Sequence, residues 1–160
     1  MLPLESQAKR KGLNFVMDFD ETIPELYIDS LRVSQIVINL VNNAIKFTKE
    51  PGTIKVSIQG VHRGAYSDIE LFVQDSGVGI PKHVQESIFQ AFSQADASIT
   101  REFGGTGLGL TITSHIVELL EGKIDLESEP GQGSKFIISF KGHHADTHVE
   151  PSDSIDNIIA

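Results

Sequence analysis

The chain has 160 residues, with 13 Lys and Arg against 22 Asp and Glu for a formal net charge of −9, and its 39% hydrophobic and 22% charged residues are typical of one soluble globular domain. The absence of cysteine excludes disulfides, thiol nucleophiles and cysteine-ligated metal sites, and it fits a reducing cytoplasm. No apolar run approaches the roughly 18 residues of a membrane-spanning helix, so we expect no direct membrane contact, and the acidic balance argues against a nucleic-acid surface.

Strands and helices alternate along the predicted body of the chain. In order, the patterns predict a lead-in (1–12), a strand (13–20), a long helix (from 29 or 30 to about 49), two strands (53–60 and 69–75), a short helix after Pro81, an aperiodic stretch (91–105), a second helix (107–120) and two strands (123–128 and 134–141). Runs of strands with helices between them predict an α+β fold, in which helices cover one face of a mixed or antiparallel sheet.

The two ends of the chain are predicted to lie outside this body. The basic cluster Lys9, Arg10 and Lys11 is interpreted as a solvated part of the lead-in rather than as a binding patch. Residues 142–160 predict an acidic tail or linker, because they carry four acids, no Lys or Arg and no clean period, which leaves the body at −5.

The long helix carries an unusual polar stripe beside its apolar one. Asn39, Asn43 and Lys46 follow one another at helical spacing on one face. Asparagine forms helices poorly, whereas its amide oxygen can ligate a hard cation such as Mg²⁺ and a nearby ammonium can neutralise phosphate oxygens. The stripe therefore indicates a metal and phosphate site, with a solvated helix face as the alternative.

Asp75 ends a strand in which the alternation places its side chain on the apolar face, with Ile69, Leu71 and Val73. An inward carboxylate is costly unless it accepts hydrogen bonds, so we expect a donor such as a ligand amine. Gly77 and Gly79 then allow backbone to approach what Asp75 holds. The alternative is an aspartate that begins a turn.

A glycine-rich segment, GGTGLGL (104–110), precedes the second helix. Glycines at a helix N-terminus expose backbone N–H groups that can bind an anion, which suggests phosphate. The segment is neither a Walker A loop nor a GxGxxG fingerprint, and a flexible turn is the alternative.

Taken together, these segments resemble the ATP-binding catalytic domain of sensor histidine kinases. The motifs that carry the resemblance, in the family's order and spacing, are NLVNNAIKFT (39–48), DSGVGI (75–80), IFQAFSQADASITREFGGTGLGL (88–110) and GQGSKF (131–136). The resemblance covers about residues 13–141. It implies the Bergerat-type fold of the GHKL superfamily, a two-layer α/β sandwich with a mixed sheet and a mobile lid.

The resemblance also implies a role for each matching position. Asn43 would ligate Mg²⁺, Asn39 would support the phosphate or metal shell, and Lys46 would contact phosphate. Asp75 would accept the adenine N–H, with Ser134 assisting through water. Further positions implied to bind the nucleotide, or to anchor the lid, are Phe47, Gly77, Gly79, Phe89, Phe92, Arg101 (at the terminal phosphate), Gly105, Thr106, Gly107, Leu108 and Gly109.

Asn39 separates two classes within the superfamily. Gyrase-like and chaperone ATPases resemble this fold but place a glutamate at this position, one turn before the metal-binding asparagine, where it activates water. Without that carboxylate, transfer of the phosphoryl group to an external nucleophile is favoured over hydrolysis. The sequence therefore favours a kinase, with a GHKL-type ATPase switch and a scaffold that has lost catalysis as alternatives.

The phosphoacceptor histidine of such kinases precedes an acid on a dimerisation helix, and none of the six histidines here precedes Asp or Glu. We therefore interpret the chain as a catalytic domain (13–141) between a lead-in from an absent dimerisation segment and a linker (142–160) that includes His143, His144 and His148. The implied partners are ATP, the parent's own dimerisation and phosphoacceptor domain, and a downstream response regulator or receiver domain of a phosphorelay. The implied location is the cytoplasm, with anchoring of the parent in the inner membrane left open.

Overall fold

The computed structural model describes residues 2–90 and 108–145. The described part contains four helices and six strands, which in chain order are α1 (Leu2–Arg10), β1 (Leu13–Phe19), β2 (Leu26–Tyr27), α2 (Ser30–Phe47), β3 (Gly52–His62), β4 (Tyr66–Asp75), α3 (Lys82–Gln90), α4 (Leu108–Leu119), β5 (Lys123–Glu129) and β6 (Gly133–His144). None of the described helices is long and apolar enough to cross a membrane.

The six strands form one mixed sheet. The order is β1-β3-β4-β6-β2, and β5 also pairs with β6. β1 runs parallel to β3, whereas β3, β4, β6, β5 and β2 pair in antiparallel fashion. The predicted α+β class with a mixed sheet is confirmed.

Rows of apolar residues across neighbouring strands build the core. One row joins Val56, Val73 and Phe136, and the next joins Ile58, Leu71 and Ile138. All six are buried in one cluster with side chains from α1, α2 and α4. Alternate strand residues therefore pack under the helices, as expected for the two-layer sandwich.

The lead-in is part of the domain rather than only a solvated connection. Residues 2–10 form α1, and Leu4 and Ala8 are buried in the main core. Lys9 and Arg10 are exposed as predicted. Lys11, however, donates from its ammonium to the carbonyl oxygens of Ile45 and Lys46. A cation on the last carbonyls of α2 is favourable for the helix dipole, so α1 supports the C-terminal end of α2.

The boundary of the acidic tail predicted at residue 142 is wrong by several residues. β6 continues to His144, because the short strand β2 gives it a partner: Leu26 pairs with His144 and Tyr27 with His143. His144 also lies in the fold rather than in a linker, with its Nε2 2.9 Å from the Ser67 hydroxyl. Residues 146–160 lie outside the described residues.

Candidate functional site

The polar stripe predicted for the long helix lies on α2. An Asp29 carboxylate oxygen caps the helix by accepting from the Arg32 N–H at 3.1 Å. Asn39 and Asn43 are half-buried, and Lys46 is exposed with its Nζ 5.3 Å from the centroid of the Phe47 ring. Positions at this spacing share a helix face, so α2 presents two amides and an ammonium in one line.

Asn39 joins α2 to the beginning of α4. Its Nδ2 lies 3.3 Å from the Gly109 carbonyl oxygen and 3.4 Å from the Thr113 hydroxyl, and its Oδ1 accepts from Gln35 at 3.1 Å. Thr113 in turn donates to the Gly109 carbonyl at 2.8 Å. The structure thus brings Asn39 and Gly109 together across 70 positions of sequence. The sequence pattern did not single out Thr113, although its place one turn after Gly109 is a signal that could have found it.

Asp75 occupies the predicted inward position at the end of β4. It pairs in register with Ile54 on one side and Ser134 on the other, so it continues the row of core positions. Its carboxylate accepts from the Gly77 N–H at 2.8 Å and from the backbone N–H of Ser134. Burial raises the pKa of Asp75 above its ordinary value, and these two hydrogen bonds oppose the rise. The two hydrogen bonds do not fully offset the cost of burying the Asp75 carboxylate, and the amine of a ligand would supply a further donor.

The loop after Asp75 packs directly against the end of α2. The Val78 N–H donates to the Phe47 carbonyl at 3.3 Å. A Cβ at Gly77 would collide with the same carbonyl, and a Cβ at Gly79, whose φ is +70°, would collide with the carbonyl of Glu129. The two glycines that sequence analysis assigned to the ligand therefore also allow the chain to pack against itself. This packing holds the Asp75 end and the Lys46 end of the site together.

Ser134 lies next to a second serine that the motifs did not identify. Ser134 is buried, and its hydroxyl oxygen is 2.9 Å from that of Ser128 on β5. Ser128 also accepts from the Ile80 N–H at 2.8 Å, at the far end of the loop that follows Asp75. Gln85 on α3 donates to the carbonyls of Ile80 and Ser128, at 2.6 Å and 2.8 Å. These contacts form a polar network next to Asp75, whose register partner on β6 is Ser134.

The remaining site predictions fall on the segment before α4. Phe92, Arg101, Gly105, Thr106 and Gly107 lie outside the described residues, as do the side chains of Phe89 and Leu108. Leu108 is the first residue of α4, and at Gly109 an added Cβ would meet no atom within 4 Å among the described residues. Among the described residues, the N-terminal end of α4 is therefore contacted at Gly109 by Asn39.

A divalent cation at this site would depend on few protein ligands. The described residues contain no group of three or more His, Asp or Glu that could hold a metal ion. The amide oxygens of the α2 stripe are hard donors that suit Mg²⁺, which keeps several waters and binds mainly through substrate phosphates. The donors present fit a cation carried in with a phosphorylated ligand.

Comparison with known families identifies the fold. Residues 28–144 match the family described as "Histidine kinase-, DNA gyrase B-, and HSP90-like ATPase". The chain belongs to this family. The matched range runs from the residue before the Asp29 cap to the last residue of β6, so it includes every described part of the site.

Relatives within this family are sensor kinases. The circadian input-output histidine kinase CikA of Synechococcus elongatus is 39% identical over 98% of this chain. The signal transduction histidine-protein kinase BarA of Escherichia coli K12 is 46% identical over 83% of this chain. The chain spans only 21% and 15% of the length of these two proteins.

Solved structures agree with this class. Full-length ShkA in complex with AMPPNP matches 90% of this chain and 28% of its own, with a TM-score of 0.74 at 28% identity. The catalytic domain of the histidine kinase ThkA matches 87% of this chain and 84% of its own, with a TM-score of 0.69 at 29% identity. The chain is therefore an ATP-binding catalytic domain of the histidine kinase type, and the gyrase-class alternative is not favoured.

Proposed function

We propose that this domain binds Mg·ATP and donates the γ-phosphoryl group to a histidine that lies outside the chain. The observation that carries the proposal is the direct packing of the Asp75 loop on the end of α2, where Val78 bonds to Phe47. A base bound at Asp75 and phosphates bound at Asn43 and Lys46 would thereby be held by one rigid unit.

Each predicted site residue receives a role under this proposal. Asp75 accepts the exocyclic amine of adenine, Ser134 assists it, and Phe47 lies at the wall of the base pocket. Asn43 supplies an amide oxygen to the metal, and Lys46 contacts phosphate. The other nucleotide contacts that we propose are Asn39, Gly77, Gly79, Phe92, Arg101, Gly105, Thr106, Gly107, Leu108 and Gly109.

Magnesium, which the Asn43 amide oxygen would help to hold, would neutralise part of the charge on the phosphates. The protein needs such help, because the whole chain carries a net charge of −9. Its own contribution near the phosphates would come from the ammonium of Lys46, the guanidinium of Arg101 and the backbone N–H groups at the beginning of α4. We therefore expect tight ATP binding to require the metal.

Phosphoryl transfer rather than hydrolysis is favoured by the residue type at position 39. Asn39 is an amide, so it offers no carboxylate base to a water molecule, and its hydrogen bonds with Gly109, Thr113 and Gln35 give it a role in joining α2 to α4. In the proposed reaction, an imidazole nitrogen forms the bond to the γ-phosphorus and loses its proton, while ADP leaves.

The partners proposed for the parent protein follow from the same reaction. An acceptor histidine on a dimerisation segment would receive the phosphoryl group, and a response regulator or receiver domain would take it on in a two-component phosphorelay. Such chemistry places the domain in the cytoplasm, where ATP is available. Residues 1–12 would connect to the dimerisation segment. A movement of that segment would then reach α2 through α1 and the contact of Lys11 with the end of α2.

The reaction class is tested by comparing hydrolysis with transfer. We expect the 160-residue chain to show only background ATP hydrolysis, unchanged in Asn39→Ala. We expect a fusion of the chain to a dimerisation helix with a His-Glu motif to acquire label from γ-labelled ATP on that histidine. Steady turnover by the isolated chain that Asn39→Ala abolishes would favour the ATPase class instead.

Asn43→Ala tests the proposed metal ligand. The substitution removes one amide oxygen from the metal shell, so we expect the affinity for ATP in Mg²⁺ to fall about tenfold. The affinity measured in a chelator should change little. Calorimetric titrations with and without Mg²⁺ separate the two, and Asn42→Ala, on the exposed side of α2, is the matched control. An equal loss in both conditions would show that Asn43 does not act through the metal.

A further inference from the structure

Ser128 stands directly behind the proposed base-binding end of the site. It pairs in register with Ser134, which pairs in register with Asp75. Three polar side chains therefore lie in one row across β5, β6 and β4, at the end of the apolar rows. The motif that identified Ser134 gives Ser128 no role.

The contacts of the Ser128 hydroxyl allow its hydrogen bonds to be counted. Its oxygen accepts from the Ile80 N–H at 2.8 Å and lies 2.9 Å from both the Gly133 carbonyl oxygen and the Ser134 hydroxyl oxygen. A serine hydroxyl has one proton and two lone pairs, and a carbonyl oxygen only accepts. Three contacts must therefore be filled by one donated and two accepted hydrogen bonds.

Only one arrangement of protons satisfies all three contacts. The Ser128 proton must lie toward the Gly133 carbonyl, because no other proton can fill that contact. The second lone pair of Ser128 then accepts the proton of Ser134. The reverse arrangement would leave the oxygens of Ser128 and Gly133 2.9 Å apart with no proton between them, which is repulsive.

With its proton held by Ser128, the Ser134 oxygen can only accept hydrogen bonds from a ligand or water. The ionised carboxylate of Asp75 likewise only accepts. The row therefore offers acceptors alone to the edge of a bound base. At position 6, the exocyclic amine of adenine donates to such a row, whereas the 6-oxo group of hypoxanthine is another acceptor and is repelled. The pattern is reversed at N1, which accepts in adenine and donates in hypoxanthine, so this selection requires position 6 of the base to face Ser134.

We propose that Ser128 is a positioning residue that fixes the proton direction of Ser134 and thereby makes the site select 6-aminopurine over 6-oxopurine nucleotides. This inference rests on the proposed binding of the base at Asp75. It adds a residue that need not touch the nucleotide and that reinforces the selection of a 6-amino group already made by the Asp75 carboxylate.

The test compares ATP and inosine triphosphate, each with Mg²⁺, on the full chain and on Ser128→Ala. Without Ser128, the Ser134 hydroxyl is free to turn and donate to a 6-oxo group. Because one hydrogen bond changes direction, we expect the ratio of the two affinities to fall about tenfold, mainly through tighter binding of inosine triphosphate. Ser128→Thr, which keeps the hydroxyl, should restore the original ratio.

Ser67→Ala is the matched control, because Ser67 is a buried hydroxyl on β4 at the opposite end of the sheet. It should leave the ratio unchanged. An unchanged ratio in Ser128→Ala, or an equal loss of affinity for both nucleotides, would overturn the inference. If Asp75→Asn also left ATP affinity unchanged, the proposed site itself would fail, so the two failures are distinguishable.

A second measurement needs no variant. Neutron diffraction of the deuterium-exchanged full chain would show the hydroxyl deuterium of Ser134 directly. We expect it between the two serine oxygens, bonded to Ser134. A deuterium bonded to Ser128 and directed at Ser134 would overturn the inference even if Ser128→Ala did not fold.

Discussion

Asp75→Asn is expected to reduce the affinity for Mg·ATP by about ten- to a hundredfold, because a hydrogen bond to a charged acceptor contributes about 1.5 to 3 kcal/mol. The asparagine oxygen can still accept from the Gly77 N–H, as the carboxylate does at 2.8 Å. Its NH₂ group would then face the adenine amine, donor against donor. Calorimetric titration of the variant and the unsubstituted chain measures the loss.

The same substitution is expected to stabilise the fold at neutral pH. Burial raises the pKa of Asp75 above 3.8, so the folded chain carries the charge at a cost that asparagine avoids. This cost is fully present above the raised pKa, shrinks as the pH falls through it, and is gone below about 3.8. The gain in Tm of Asp75→Asn should follow the same course.

The affinity for ATP should change with pH in the direction opposite to the stability of the fold. As the pH falls through the raised pKa, protonation places a hydrogen on the acceptor that the adenine amine needs, so the ATP affinity of the unsubstituted chain should fall. Asp68→Asn, on the same strand and ion-paired on the surface with Arg63 at 2.9 Å, is the matched control and should bind ATP normally. Loss of ATP binding together with a loss of stability in Asp75→Asn would contradict the assigned role.

Gly133→Ala is expected to destabilise the domain by about 2 to 5 kcal/mol, the sum of a left-handed backbone penalty and a backbone collision. Gly133 has a φ of +91°, and an added Cβ would lie well inside van der Waals contact with the Asp75 carbonyl oxygen. The collision is with backbone at the end of the central strand β4, so no side-chain rotation relieves it. Urea denaturation measures the free energy of unfolding.

Gly131→Ala is the control for this effect, two residues away in the same turn. Its φ of +79° carries the same backbone penalty, but its Cβ would meet no atom within 4 Å among the described residues. We expect a loss of only about 1 kcal/mol. ATP affinity should fall in Gly133→Ala, because Asp75 must shift, and stay unchanged in Gly131→Ala. Equal destabilisation of the two variants would show that the close approach to Asp75 is not the cause.

Features with a short repeat were predictable from the sequence alone. The helical spacing of Asn39, Asn43 and Lys46 predicted one face of α2, and the alternation along β4 predicted that Asp75 lies on the apolar face of its strand. The family resemblance, which rests on four ordered motifs, predicted the sandwich. Each of these depends on residues close together in the chain.

Other features depend on contacts between distant segments and were missed. The two-residue strand β2 is too short to show a period, yet it extends β6 to His144. α1 has only two core residues, Leu4 and Ala8, so its composition looked like that of a solvated lead-in. The sequence alone does not distinguish Ser128 from other strand residues, because its role depends on contacts with Ser134 and Ile80 that form only in the fold.

The sequence by itself determined the family, the elements and the chemical types available at the site: amides, an ammonium, a carboxylate and glycines. Only the tertiary structure decided how they are oriented and supported. Asn39 holds Gly109 across 70 positions, and the Asp75 loop is attached to α2 through Phe47. The physical reason is that periodicity records which face of an element is buried, whereas the direction of each hydrogen bond depends on what the closed fold places opposite it.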